Sequence, residues 1–269
     1  MARRSDDNGV VRVYLCGRMA LERRGRLVGE ARLAGRQGRL LLGFLATRRE
    51  RPCSRADLVD ALWQADPPSA VDAALNALIS KLRAALRGLA IPPPHGIATD
   101  GGAYQFTLPA AWVDIEAART SLDLAEGAFR RGELAPAWAA ANVAAAIARQ
   151  PFLVDEEAGW VVRERASLSR VLRRALIVLS NVSTMNHEHE LGIHHAAEAL
   201  AAEPFDEVAC QTLMRAHASA GNRAEALRVY AQCRKTFRDE LGAEPSPQTA
   251  RVFLSILQSD DGVVSGSES

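Results

Sequence analysis

The spacing of apolar residues changes once along this chain, near residue 109, and that change limits the possible folds more than any single motif does. Before it, short alternating runs are mixed with amphipathic helical patterns. After residue 114 the pattern is helical almost to the end. A chain of 269 residues with such a break divides naturally into two domains, over 9–108 and 112–257. The segments 1–8 and 258–269 are expected to be disordered.

In the first part, residues 10–15 (VVRVYL) alternate as a strand, 19–22 form a second strand before a turn at 23–25, and 27–33 form a weaker third. A helix over 36–48 turns Leu40, Leu41, Phe44 and Leu45 to one side and leaves Arg36, Arg39 and Arg48 for solvent. Ser54 and Asp57 have the spacing of a capping box, which starts a short helix carrying Leu58, Val59, Leu62 and Trp63. Ser69, with Asp72 three positions on, is the expected cap of a third helix over 70–86.

That third helix carries the most information. At 100° per residue, Leu75, Leu78, Ile79, Leu82 and Leu86 share a side, whereas Asn76, Ser80, Arg83 and Arg87 fall on an arc about 80° to 140° from Leu75. The arc offers amide, hydroxyl and guanidinium groups, and its polarity suits a DNA major groove. Taken alone, it would equally describe an ordinary amphipathic surface helix. After the prolines at 92–94, however, residues 95–108 read as a hairpin around Asp100-Gly101-Gly102, with Tyr104 and Phe106 on one face. Three helices followed by a hairpin have the order of a winged helix. A wing lies against the DNA backbone or minor groove, which makes Thr99, the glycine amides and Tyr104 candidate phosphate neighbours.

In the second part, helices are expected over 115–131, 136–149, 156–180, 187–202, 205–219 and 222–241, and over 247–257 behind a Ser246 cap. Pro136 is read as a first helical residue. Gly221-Asn222 joins two helices, and small residues recur through 196–226, as in tetratricopeptide-like helix pairs; a plain helical bundle is the alternative. The fold class is therefore mainly α: an N-terminal winged helix-turn-helix with small β-sheets, then an all-α tetratricopeptide-like domain.

The net charge of +1 conceals an uneven division, +7 over residues 1–108 and −6 over the remainder. A basic half suits a polyanion, and an acidic half suits another kind of partner. Of 33 basic residues 31 are arginine, so nearly every basic site offers a planar, multidentate donor. No dinucleotide fingerprint, phosphate loop, zinc-protease motif or nucleophile elbow is present. His187, His189, His194 and His195 are close in sequence, but only 187 and 194 share a helical direction, so no ready three-ligand metal site is expected. Adjacent carboxylates such as Glu156-Glu157 and Asp239-Glu240 do not face each other across a substrate. No catalytic residue, metal or cofactor is expected. Cys16, Cys53, Cys210 and Cys233 lie far apart without a CxxC pair and read as buried reduced thiols. With neither a secretory signal nor a membrane span, the expected location is cytoplasmic, nucleoid-associated when bound to DNA.

Several short runs then carry a resemblance. Residues 58–63 (LVDALW), 80–86 (SKLRAAL) and 101–104 (GGAY) resemble an OmpR-type winged helix, and 224–230 (AEALRVY) and 241–247 (LGAEPSP) resemble the bacterial transcriptional activator domain. In this order, over about residues 10–257, they resemble the Streptomyces antibiotic regulatory protein family. The resemblance implies a sequence-specific transcriptional activator. Two such chains would pair on DNA, bind direct repeats near a promoter in double-stranded form and help recruit RNA polymerase. It implies that Asn76, Ser80 and Arg83 read base edges, and that Arg55, Lys81, Arg87 and the wing contact phosphates. Residues 1–108 alone are then expected to bind DNA, though more weakly. No receiver, ATPase or phosphopeptide-binding module is expected here. A different class, a tetratricopeptide-like adaptor whose winged helix meets protein, is the alternative.

Overall fold

The computed structural model describes residues 9–91, 95–108 and 110–259. Residues 1–8 and 260–269 of the segments expected to be disordered, the proline break at 92–94 and the connector residue Pro109 lie outside the described residues. Two compact units are formed, Met1–Ala117 with Gln150–Leu168, and Ala118–Arg149 with Ser169–Ser269.

The first unit opens with strands β1 (Arg12–Tyr14), β2 (Ala20–Arg23) and β3 (Arg26–Gly29), followed by a 3-10 turn at Glu30–Arg32 where the third strand was expected to continue. Helix α1 spans Gly35–Thr47. The short strand β4 (Cys53–Ser54) leads into α2 (Arg55–Trp63), and α3 covers Val71–Gly88. Strands β5 (Gly96–Asp100) and β6 (Ala103–Thr107) form the expected hairpin. It closes through Gly101 and Gly102, both at positive φ, as a two-residue turn between paired Asp100 and Ala103 requires. The hairpin joins β4 in a sheet of order β4-β6-β5.

One strand was not anticipated. Trp112–Val113 forms β7, which pairs in parallel with β1 and completes a sheet of order β3-β2-β1-β7. Asp114, at the start of α4 (Asp114–Arg130), explains why the pairing holds. Its buried carboxylate accepts the N–H groups of Leu15 at 2.8 Å and Cys16 at 2.9 Å on one oxygen, and that of Ile115 at 2.8 Å on the other. Burial pushes this carboxyl group above the usual range, against the pull of those N–H donors.

Helix α1 buries Leu40, Leu41, Phe44 and Leu45 as its period requires, but also Leu42, Gly43 and Ala46 on the other side. At Gly43 the cover comes from the return of residues 150–168. The Trp160 ring packs edge-on at 5.3 Å from Phe44, and its indole N–H donates to the Ala61 carbonyl at 3.1 Å. A Cβ on Gly43 would stand 3.2 Å from that indole. Arg36 is exposed, as expected, and also grips buried Glu156 through two bonds of 2.8 and 2.6 Å. Gly38 is required by close approach, since a Cβ there would lie 1.6 Å from the Leu33 carbonyl oxygen.

The second unit is all helix. To α4 are added α5 (Leu134–Ala148), α6 (Gly159–Met185, of which residues 159–168 belong to the first unit), α7 (His189–Ala202), α8 (Glu207–Ser219), α9 (Arg223–Leu241) and α10 (Pro247–Gln258). Ala125, Ala137, Ala141, Ala144, Ala145, Ala175 and Ala199 are completely buried, so small side chains let the helices close on one another. Pro136 is the third helical residue of α5 and not the first. It remains in the turn whose N–H groups lack helical acceptors, so no bond is lost. Ser246 caps α10 as expected, and that helix runs through Gln258, one residue into the tail expected to be disordered. All four cysteines are buried, and none forms a disulfide. Among the described residues no helix is long and apolar enough to cross a membrane.

Candidate nucleic-acid interface

The start of α2 is fixed by the capping box read from the sequence: Ser54 Oγ accepts the Asp57 N–H at 3.1 Å, and Asp57 Oδ2 accepts the Ser54 N–H at 2.8 Å. The Ser54 hydroxyl, which donates to Asp57 Oδ2 at 2.8 Å, and then the Ser54 N–H hold the Asp57 carboxyl below the usual carboxylate range. Arg55, at the first helical position, donates through Nε to Asp72 Oδ1 at 2.8 Å and through Nη1 to the Tyr104 hydroxyl at 3.2 Å. One guanidinium thus joins α2, the first turn of α3 and the wing strand β6. Ser69 does not cap α3. The helix starts one residue later than expected, at Val71, with Ala70 as its N-cap and no side-chain bond. Asp72 is held by Arg55 in the first turn, where the helix dipole favours a negative charge.

On α3, Leu75, Ile79, Leu82 and Leu86 are buried and Leu78 half-buried. Asn76, Ser80, Lys81 and Arg87 are exposed, and none of their side chains bonds to another described residue. Arg83 behaves differently. Its Nε and Nη2 donate to the Ile97 carbonyl at 3.1 and 2.9 Å, and Nη2 also donates to Thr99 Oγ1 at 2.7 Å. Because β5 is the edge strand of its sheet, that carbonyl has no further strand beside it, and the guanidinium takes the place of one. Tyr104 is buried, with its hydroxyl on Arg55, while Thr99 is exposed on the wing.

The eight predicted residues therefore fall into two groups of four. Asn76, Ser80 and Arg87 on one margin of the outward side of α3 and Lys81 on the other are open, whereas Arg55, Arg83, Thr99 and Tyr104 form the bonds that hold α2, α3 and the wing in register. Sequence reasoning missed the exposed residues between them. Ala73, Ala77 and Ala84 lie opposite the buried leucines at the most outward part of the helix. The same helical period that found the polar arc would have placed them there.

In the second unit, His194, His195 and Glu198 have potential ligand atoms within 4.8 Å of one another, a grouping the four-histidine reading did not include. Both Glu198 oxygens are already held by Arg149, at 2.9 and 2.7 Å. That guanidinium opposes a second cation. Burial holds the His195 imidazole below its ordinary pKa.

Comparison with known proteins gives these groups their context. Residues 113–257 match the bacterial transcriptional activator domain, and residues 29–103 match the C-terminal region of transcriptional regulatory proteins. Regulatory protein AfsR of Streptomyces coelicolor is 27% identical over 95% of this chain, which spans 25% of AfsR's length. Regulatory protein DnrI of Streptomyces peucetius is 27% identical, with 85% of this chain and 86% of DnrI covered. Transcriptional regulator RedD of Streptomyces coelicolor is 30% identical over 82% of this chain and 64% of its own. In solved form, Mycobacterium tuberculosis EmbR in complex with a low affinity phosphopeptide superposes with a TM-score of 0.84. It covers 92% of this chain and 65% of EmbR at 22% identity, which shows a shared fold.

Proposed function

Since this chain belongs to the bacterial transcriptional activator domain family, whose members are transcriptional regulators and not enzymes, we propose that it is a sequence-specific activator that binds direct repeats in promoter DNA. Two chains dock side by side, each with α3 in a major groove and its wing at the flanking backbone. The helical unit engages RNA polymerase. The observation that carries this reading is that Asn76, Ser80 and Arg87 on one margin and Lys81 on the other stand open on the outward side of a helix whose opposite side is buried. These side chains bond to no other described residue, and their amide, hydroxyl and cationic groups suit base edges and phosphates.

The test is selection of bound genomic fragments by the full chain, followed by footprinting and transcription with purified polymerase. A shared direct repeat is expected, together with more transcript at occupied promoters. Lys81→Ala and Arg87→Ala should each lower the salt dependence of binding by about one phosphate contact. Retention of all duplexes alike would remove sequence specificity, and occupancy without added transcript would remove activation.

A further inference from the structure

We propose that Asn76 is the specificity-determining residue of the interface and reads an adenine within a half-site core of A·T pairs, while Arg83 is a positioning residue that holds the wing. This rests on the DNA-binding reading above and adds which bases it takes.

The first observation is that Arg83 is occupied. A guanidinium has five N–H donors, and recognition of guanine uses two of them on different nitrogens. The Nε hydrogen and both Nη2 hydrogens of Arg83 are engaged by the Ile97 carbonyl and Thr99 Oγ1. Only the Nη1 donors remain, and a single nitrogen cannot span guanine O6 and N7. Turning the side chain into the groove would break three bonds and free the edge of β5.

The second observation is what remains exposed. Measured from Asn76 at about 100° per residue, Arg87, Ser80, Ala73, Ala84 and Ala77 follow at roughly 20°, 40°, 60°, 80° and 100°, with Lys81 at roughly 140°. Arg87 lies eleven residues beyond Asn76, about 16 Å along the axis. In helix-turn-helix docking it is the first turns of the helix that meet base edges, so Arg87 sits where the helix leaves the groove for the backbone. Lys81 stands at the opposite margin. The early and middle turns thus present no arginine to a guanine. Up to the Lys81 margin they present one carboxamide, one hydroxyl and three methyl groups, all exposed. A carboxamide pairs donor to acceptor with adenine N7 and N6–H, and an alanine methyl packs against the thymine methyl. The small residues also let the helix backbone come close to the groove floor, which brings the short Asn76 side chain within reach.

The experiment uses the full chain and a duplex recovered in the genomic selection, with single atoms of its bases altered. Replacing the contacted adenine with 7-deazaadenine removes the N7 acceptor, and uracil in place of thymine removes the methyl. Each should weaken binding, the first by about 5-fold to 100-fold, whereas 7-deazaguanine in the core should have little effect. Asn76→Ala should abolish the response to 7-deazaadenine. Arg83→Ala should lower affinity for cognate and scrambled duplexes alike and keep that response, and Arg83→Lys, which retains a donor for the Ile97 carbonyl, should recover part of the affinity. Strong loss with 7-deazaguanine, or an unchanged adenine response in Asn76→Ala, would overturn the assignment while leaving specific binding intact. Equal binding to cognate and scrambled duplexes by the unaltered chain would overturn the DNA-specific reading itself, and this assignment with it.

Discussion

Trp160 holds together two stretches of the first unit that are 99 residues apart in sequence. Its ring packs against Phe44 and Phe152, and its indole N–H satisfies the Ala61 carbonyl. The two contributions can be separated by substitution. Trp160→Ala removes both and should destabilise the unit by about 3–5 kcal/mol. Trp160→Phe keeps much of the ring contact but leaves a buried carbonyl unpaired, which costs about 1–3 kcal/mol. Urea unfolding of the two variants measures the difference: a Trp160→Phe chain as stable as the native one would show that the hydrogen bond contributes nothing, and equal losses in both variants that the ring contact contributes nothing. Neither effect is legible from the neighbours of Trp160, where a tryptophan near a helix start reads only as part of an amphipathic face.

At the scale of elements, the clearest case is the attachment of α10 to α8. Glu207, in the first turn of α8, accepts the Ser246 N–H at 2.8 Å and the hydroxyls of Ser246 and Thr249, which lie at the start of α10. Burial pushes the Glu207 carboxyl up, but the two hydroxyls and the backbone N–H together bring it below the ordinary glutamate value. A lowered folded-state pKa means that the unfolded chain binds the proton more readily. The stabilisation is therefore present above the ordinary glutamate pKa and is lost as pH falls through the lower folded-state value. Amide exchange in α10 should accelerate over that acid window in the native chain. In Glu207→Gln, which cannot ionise, exchange should be faster at neutral pH and should lose this pH dependence. An unchanged profile in the variant would assign the acid response to other groups. The Ser246 cap was legible from Ser-Pro before a helical run, but its second partner was not, because Glu207 is 39 residues away.

At the scale of the molecule, the first compact unit does not end where the winged-helix pattern ends. It includes β7, the first turn of α4 and residues 150–168. A fragment of residues 1–108 lacks the strand beside β1, the Asp114 acceptor for Leu15 and Cys16, the Glu156 partner of Arg36 and the Trp160 that covers Gly43. Against the expectation of a self-sufficient DNA-binding fragment, residues 1–108 should melt broadly and far below the full chain, with little specific affinity for DNA. Circular dichroism during heating and titration with a cognate duplex measure both. A sharp, cooperative melt with nearly full affinity would show that the returning segment is dispensable.

By itself the sequence determined the kinds of element, several of their caps and the two sides of α3, because those depend on backbone geometry repeated every few residues. Asn76, Ser80 and Arg87 stand exposed where that period places them. Only the tertiary structure decided that Arg55 would meet Asp72, 17 residues away, and that Arg83 would meet Thr99, 16 residues away. Likewise, only the fold brought residues 150–168 back onto α1. A helical period states which face must be buried but not what will cover it. The partner is chosen by which distant groups can satisfy a buried carbonyl, an edge strand or an apolar face once the chain has closed on itself, and nothing in the neighbouring residues encodes that choice.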